Sequence, residues 1–129
     1  MPKYGDKTQK KLENYLVGYS IPKGKTNTGL VAPYHDLKRN HDTLKKMGLK
    51  ESAPFFHCKA NYEAASRGAY GSVAAYALDV LKEAKDIGYN HRPISDSLRD
   101  FRANIRGQQG AKKGKTLQET CPTHHTKYK

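Results

Sequence analysis

The residues in this 129-residue chain best placed for acid–base chemistry are His57 and Asn61. They lie four positions apart in a stretch that predicts a helix, so their side chains fall on one face, one turn apart. Because an imidazole titrates near neutral pH, the pair suits a general base or a phosphate contact. His57 and Asn61 are therefore the candidate catalytic residues.

Six cations near the C-terminus predict a site for an anionic partner. Arg99, Arg102 and Arg106 are spaced by three and four residues, so they share a helix face. The next cations along the chain are Lys112, Lys113 and Lys115. Such a group can neutralise several phosphates of a nucleic acid or lie against anionic lipid. The alternative is an ordinary solvated helix face.

Asp96, Asp100 and Asn104 form a polar ridge, because they repeat every four residues along the same predicted helix. Such a ridge can hold a metal or position a water. A hydrogen-bonding seam to neighbouring helices is favoured, since buried Asp and Asn side chains need partners. Arg67, on another predicted helix, is the partner that we assign to this structural polar network.

The two cysteines, Cys58 and Cys121, predict a disulfide that closes a loop of about 64 residues, stabilising the fold by about 4 kcal/mol. The bond in turn predicts an oxidising compartment. Two unrelated thiols are the alternative. Cys121, His124 and His125 lack a second half with zinc-ligand spacing, so we predict no metal site and no cofactor.

Charge and hydropathy predict a single folded body with basic ends. Residues 1–52 carry 11 basic and 5 acidic side chains, residues 53–90 carry 4 and 4, and residues 91–129 carry 9 and 3. No apolar run approaches the ~20 residues of a membrane span, and residues 1–11 lack the apolar region of a classical signal peptide. The basic ends favour an anionic partner.

Apolar residues at helical spacing predict an all-α bundle of five helices. We predict helices over 7–19, 34–47, 53–67, 73–87 and 95–107. The first and second form a basic N-terminal segment, 1–52, that packs on a core, 53–107, and residues 108–129 are predicted to be an irregular tail. Gly48 and Gly107 are each predicted to end a helix.

Two stretches of this chain resemble a known family. Residues 55–68 read FFHCKANYEAASRG and residues 96–107 read DSLRDFRANIRG. They are similar to the F-H-x-x-x-N-Y-x-A-A-x-R-G and D-S-L-x-D-x-x-A-N-x-x-G segments of the serum amyloid A family. The resemblance implies a helical bundle wrapped by a tail, which binds lipid, small apolar ligands or polyanions. It also implies that polar side chains join the helices, namely Asn61, Arg67, Asp96, Asp100 and Asn104.

The F-H-C-x-A-N segment with a later cysteine is also similar to segments of bacterial secreted polymorphic toxins. That resemblance implies a module that is secreted or delivered into a target cell, with a larger carrier chain or an immunity protein as possible partner. The first hypothesis is thus an effector acting on an anionic target, with nucleic acid preferred. The alternatives are a non-enzymatic module binding lipid or polyanion, and a basic structural subunit of a larger complex. Whether the protein is an enzyme stays open.

Overall fold

The computed structural model describes residues 3–19, 31–48, 52–67, 77–82, 85, 88 and 94–123. The helices are α1 (Lys3–Leu16), α2 (Val31–Met47), α3 (Ala53–Ala65), α4, whose described residues are 77–82, 85 and 88, α5 (Ile94–Lys112) and α6 (Leu117–Thr120). The described residues contain no strand, which confirms the all-α prediction. None of their helices is long and apolar enough to cross a membrane.

Helix α3 lies at the centre of the fold. All of its residues from Cys58 to Ala65 are buried, because α2 and α5 pack on it from different sides. Phe55 and Phe56, near its beginning, form the apolar core together with Leu12 of α1. A helix buried on every side must find partners for its own polar residues, and this requirement shapes the sites described below.

Glycines set the ends of α1 and α2. Gly18 has φ of 72° and follows α1, so the first helix ends before the predicted limit of 19. Gly48 has φ of 65° and donates its backbone N–H to Leu44 O at 3.1 Å, which confirms its predicted place after α2. Helix α2 begins at Val31, three residues earlier than predicted, because Pro33 is tolerated in a first turn.

The prediction that Gly107 ends a helix was wrong. Gly107 lies inside α5, where a Cβ atom would overlap the carbonyl oxygen of Cys58 and lie 2.9 Å from the backbone N of Tyr62. The missing side chain thus allows α5 to approach the backbone of α3. The irregular tail was also wrong in part, because α5 continues to Lys112 and α6 follows it. Residues 124–129 lie outside the described residues.

Helix α4 presents a different face to the core from the expected one. The apolar residues at helical spacing that predict this helix include Val80 and Leu81, yet Val80 is 43% exposed and Leu81 is 67% exposed. Asp79 is buried instead. Asp79 faces inward because its carboxylate accepts hydrogen bonds from Asn61 of α3 and Gln108 of α5. These hydrogen bonds fix the orientation of α4. The rest of the predicted range 73–87 lies largely outside the described residues.

Candidate functional site

Asn61 joins three helices. Its Nδ2 donates to Asn104 Oδ1 at 3.0 Å and, within α3, to the His57 carbonyl oxygen at 2.9 Å. Its Oδ1 accepts from Gln108 Nε2 at 2.8 Å, and Gln108 Nε2 also lies 3.2 Å from Asp79 Oδ2. These side chains are buried, so the seam that the sequence predicted for Asn104 exists and includes Asn61.

His57 lies beside a buried carboxylate. Its Nε2 is 3.4 Å from Asp100 Oδ2, and the side chain of His57 is 15% exposed while that of Asp100 is fully buried. The two predicted catalytic residues therefore differ in surroundings: His57 reaches the surface, whereas Asn61 has no exposed area. Their catalytic role stays a prediction, and the observed bonds of Asn61 are those of a structural residue.

A second polar network, which the sequence did not predict, connects α2 and α3 with Tyr19, which follows α1. Lys59 Nζ is fully buried and donates to Tyr19 OH at 2.7 Å, to Asn40 Oδ1 at 2.9 Å and to Glu63 Oε2 at 3.2 Å. Tyr19 OH donates to Glu63 Oε2, and Asn40 Nδ2 donates to Glu63 Oε1 at 2.7 Å. Burial lowers the pKa of Lys59 to about 8.

Arg67 belongs to this second network, which corrects its predicted pairing with the α5 ridge. Its Nη2 donates to Asp36 Oδ1 at 3.0 Å, and Arg39 Nη2 reaches the same oxygen at 2.9 Å. Arg67 follows the last turn of α3 on the side facing α2, so Asp36 is the carboxylate within reach. The hydrogen bonds to Asp36 raise the pKa of Arg67. The side chain of Asp96 lies outside the described residues.

Sequence reasoning missed Lys59, Glu63, Asp36 and Asn40 for a common reason. The apolar residues of α3 predicted one buried face, and Lys59 and Glu63 lie outside that face. In the structure α1 and α2 cover the side of α3 on which these two residues lie. A usable signal was present: Asp36 and Asn40 repeat at four residues, as do Lys59 and Glu63, so each helix offers a pair of matched polar groups.

The predicted disulfide between Cys58 and Cys121 is present, with a Cα–Cα distance of 5.7 Å. Both cysteines are buried. The bond fixes the segment after α6 to the middle of α3. Tyr62 OH, one turn further along α3, donates to the Lys115 carbonyl oxygen at 2.6 Å, so two links attach this part of the chain to the central helix.

An apolar cavity of about 310 Å³ lies between α2, α3 and α4. Its lining is mostly carbon from Tyr34, Leu37, Leu44, Phe56, Ala60 and Leu78. The polar lining residues are Lys38, Lys82, His41, His57 and Asp79, whose carboxylate is engaged with Asn61 and Gln108. The cavity therefore offers apolar surface beside cationic side chains.

The six predicted cations, on α5 and in the segment directly after it, are brought together in part. A second cavity, of about 370 Å³, lies between α5 and α6, and four of the six cations line it: Arg102, Arg106, Lys113 and Lys115. Arg99 and Lys112 are exposed elsewhere on α5. The described residues contain no cluster of side chains that could hold a metal ion.

The arrangement described so far defines a small helical protein whose central helix is held by buried polar networks. Residues 25–125 match the family model described as Serum amyloid A protein. The chain belongs to the serum amyloid A family. It is 35% identical over 75 residues to a serum amyloid A protein of Notamacropus eugenii, covering 58% of this chain and 59% of that protein.

A second relative agrees with the first. The chain is 36% identical over 75 residues to serum amyloid A-3 protein of Mus musculus, covering 58% of this chain and 61% of that protein. The chain thus spans about three fifths of the length of these curated relatives. The family match begins at residue 25, so α2 lies inside it and α1 precedes it. The division at residue 52 stays a prediction.

Proposed function

We propose that this protein is a non-enzymatic binding module that holds the apolar part of an amphiphile in the cavity between α2, α3 and α4. The observation that carries the proposal is the cavity itself. Its volume of about 310 Å³ falls within the roughly 300–1,000 Å³ of ligand pockets. Apolar side chains make up most of its lining, which favours a hydrocarbon chain.

The cations beside the cavity specify the other end of the ligand. Lys38 and Lys82 line it together with the apolar side chains. Lys38 is half-exposed and forms an ion pair with Asp42 at 3.0 Å, so its ammonium group remains near water. An acidic head group placed there keeps contact with both solvent and cation. We therefore infer an amphiphile with a negatively charged head, of which dodecanoate is a simple probe.

The test is calorimetric titration of the full chain with dodecanoate. Ala60 is buried and lines the cavity, so Ala60→Leu adds carbon where the ligand would lie and should weaken binding about tenfold or more. Ala77→Leu is the matched control, because Ala77 is exposed on α4 and does not line the cavity. Equal binding by the Ala60→Leu variant and the unchanged protein would contradict the proposal.

A second candidate function is favoured by the position of the cations on α5 and directly after it. Arg102, Arg106, Lys113 and Lys115 converge on one cavity, and Arg99 and Lys112 are exposed on the same helix. This supports an anionic target, with nucleic acid preferred. Its affinity for duplex DNA should fall steeply with salt and should weaken in Arg99→Glu. Lys45→Glu, on α2, is the charge-matched control.

The predicted cellular setting is proposed on chemical grounds. The Cys58–Cys121 disulfide suits an oxidising compartment, and the relatives are named as serum proteins, so we infer that the protein is secreted. Delivery into a target cell, a larger carrier chain and an immunity protein stay predictions. DNA cleavage by the unchanged protein that disappears in His57→Ala would support the toxin-like role with His57 as its catalytic residue. Absence of cleavage by the unchanged protein would contradict a nuclease role, and cleavage that survives the substitution would contradict the role of His57.

A further inference from the structure

The cavity between α5 and α6 has a strong excess of positive charge. Two guanidinium groups and two ammonium groups line it, from Arg102, Arg106, Lys113 and Lys115. Glu119 is the one carboxylate among the lining residues that the structure describes. Four cations and one anion leave a formal charge of +3 around about 370 Å³ of space. This charge favours a dianion over a monoanion.

Two of the charged groups are held in place by the backbone of α6. Arg106 Nε donates to the Thr120 carbonyl oxygen at 2.7 Å. Glu119 Oε1 accepts from the backbone N–H of Thr116 at 2.9 Å, and the Thr116 hydroxyl accepts from the Glu119 backbone N–H at 3.2 Å. These bonds to Thr116 lower the pKa of Glu119, so this carboxylate is engaged with the start of α6.

A buried hydroxyl group lies in the wall of the same cavity. Thr120 is 3% exposed and lines the cavity, and its Oγ1 has no hydrogen-bond partner in the part of the chain that the structure describes. Gly110 faces it, and a Cβ at that position would overlap the Thr120 hydroxyl. A buried hydroxyl without a partner is costly, and rotation of the Thr120 side chain toward the cavity would bring an acceptor oxygen of a ligand within its reach.

We propose that this α5–α6 cavity binds the terminal phosphate monoester of a nucleic acid strand. A monoester carries a charge of about −1.5 to −2 at pH 7 and three acceptor oxygens, whereas an internal diester carries one negative charge. Guanidinium groups bind such oxygens in pairs, and the Thr120 hydroxyl is a further donor. Arg99 is exposed three residues before Arg102 on α5, so it shares a helix face with Arg102 and is the cation that we assign to an internal phosphate. The inference rests on the second candidate function and names the group recognised.

The experiment compares two oligonucleotides of one sequence, with a 5′-phosphate and with a 5′-hydroxyl, for binding to the full chain. The phosphorylated strand should bind about tenfold more tightly. Thr120→Val keeps the side-chain shape and removes a hydroxyl that has no partner among the described residues, so it should reduce this preference without lowering the melting temperature. Arg102→Gln should reduce the preference as well, while Lys45→Gln on α2 should leave it unchanged.

The outcomes separate this inference from the function on which it rests. Equal binding of both strands would overturn the terminal-phosphate site and leave nucleic acid binding intact. Binding of neither strand would overturn both. A preference that is unchanged in both Thr120→Val and Arg102→Gln, or a preference for phosphoserine peptide over both strands, would also overturn the site as proposed here.

Discussion

At the scale of single residues, the Asn61 amide connects α3 to both α4 and α5. Asn61→Ala would remove one hydrogen-bond partner from each of three buried polar groups, the side chains of Asp79, Asn104 and Gln108. Each such loss costs about 1–3 kcal/mol, so we expect the free energy of unfolding to fall by about 3 kcal/mol. Urea denaturation of the full chain measures this change.

Asn14→Ala provides the control for the Asn61 experiment, because Asn14 is exposed on α1. It should change the stability by less than about 0.5 kcal/mol. An Asn61→Ala variant as stable as the unchanged protein, but inactive on nucleic acid, would contradict the structural role and support the catalytic one predicted from sequence.

Lys59 makes the stability depend on pH in the alkaline range. Burial lowers its pKa in the folded protein to about 8, while the unfolded chain keeps the ordinary value near 10.4. Between these values the unfolded chain binds more protons, so the free energy of unfolding rises with pH. From pH 8 to pH 10 we expect a gain on the order of 2 kcal/mol, measured by urea denaturation at each pH.

Lys59→Met is the variant that tests the origin of this gain. It keeps much of the side-chain volume and removes the titrating group, so its stability should not rise between about pH 8 and pH 10. Burial also raises the pKa of Tyr19, which makes stability fall again above about pH 10, and the comparison is therefore confined below that limit. A variant that keeps the wild-type slope would show that another group titrates.

At the scale of helices, the close packing of α5 on α3 depends on Gly107, the glycine that the sequence predicted to end the helix. Gly107→Ala would place a methyl group against the backbone of α3 at Cys58, where no flexible side chain can give way. We expect it to destabilise the protein by about 3 kcal/mol, as overpacking does. Thermal and chemical denaturation measure the loss.

Gly88→Ala is the matched substitution in α4. Gly88 is helical and a Cβ there meets nothing within 4 Å, so the same change should stabilise by about 0.5–1 kcal/mol through helix propensity. If both variants lost stability equally, the loss at Gly107 would not come from its contact with α3.

The features that could be predicted from the sequence are those that depend on residues near one another in the chain. Helix identity depends on local periodicity and on glycines such as Gly48, and these predictions were confirmed within a few residues. The burial of Lys59 and the role of Gly107 depend on which helix lies opposite, and local patterns do not contain that information. The helical spacing of Asn104 indicated a polar face on α5, and its side chain forms a hydrogen bond with Asn61. The partner of Arg67 depends on which helix lies opposite, so the sequence assigned it to the α5 ridge although it pairs with Asp36 of α2.

At the scale of the whole molecule, α1 precedes the family match and still contributes to the core. Leu12 is fully buried, and the ring centroid of Tyr15 lies 5.7 Å from that of Phe56. We expect a chain beginning at residue 25 to stay helical but to lose on the order of 4 kcal/mol, since burying one large apolar side chain contributes about 1.5–3 kcal/mol. Circular dichroism and urea denaturation measure both quantities.

Dye binding distinguishes exposure of the core surface that α1 covers from a general loss of packing. Without α1, Phe55 and Phe56 face water at one continuous surface, so an apolar dye such as anilinonaphthalene sulfonate should bind the shortened chain. Leu12→Ala in the full chain should cost about 3 kcal/mol yet bind little dye, because α1 still covers the surface. A shortened chain that matches the full protein in both stability and dye binding would show that α1 adds nothing to the family's bundle.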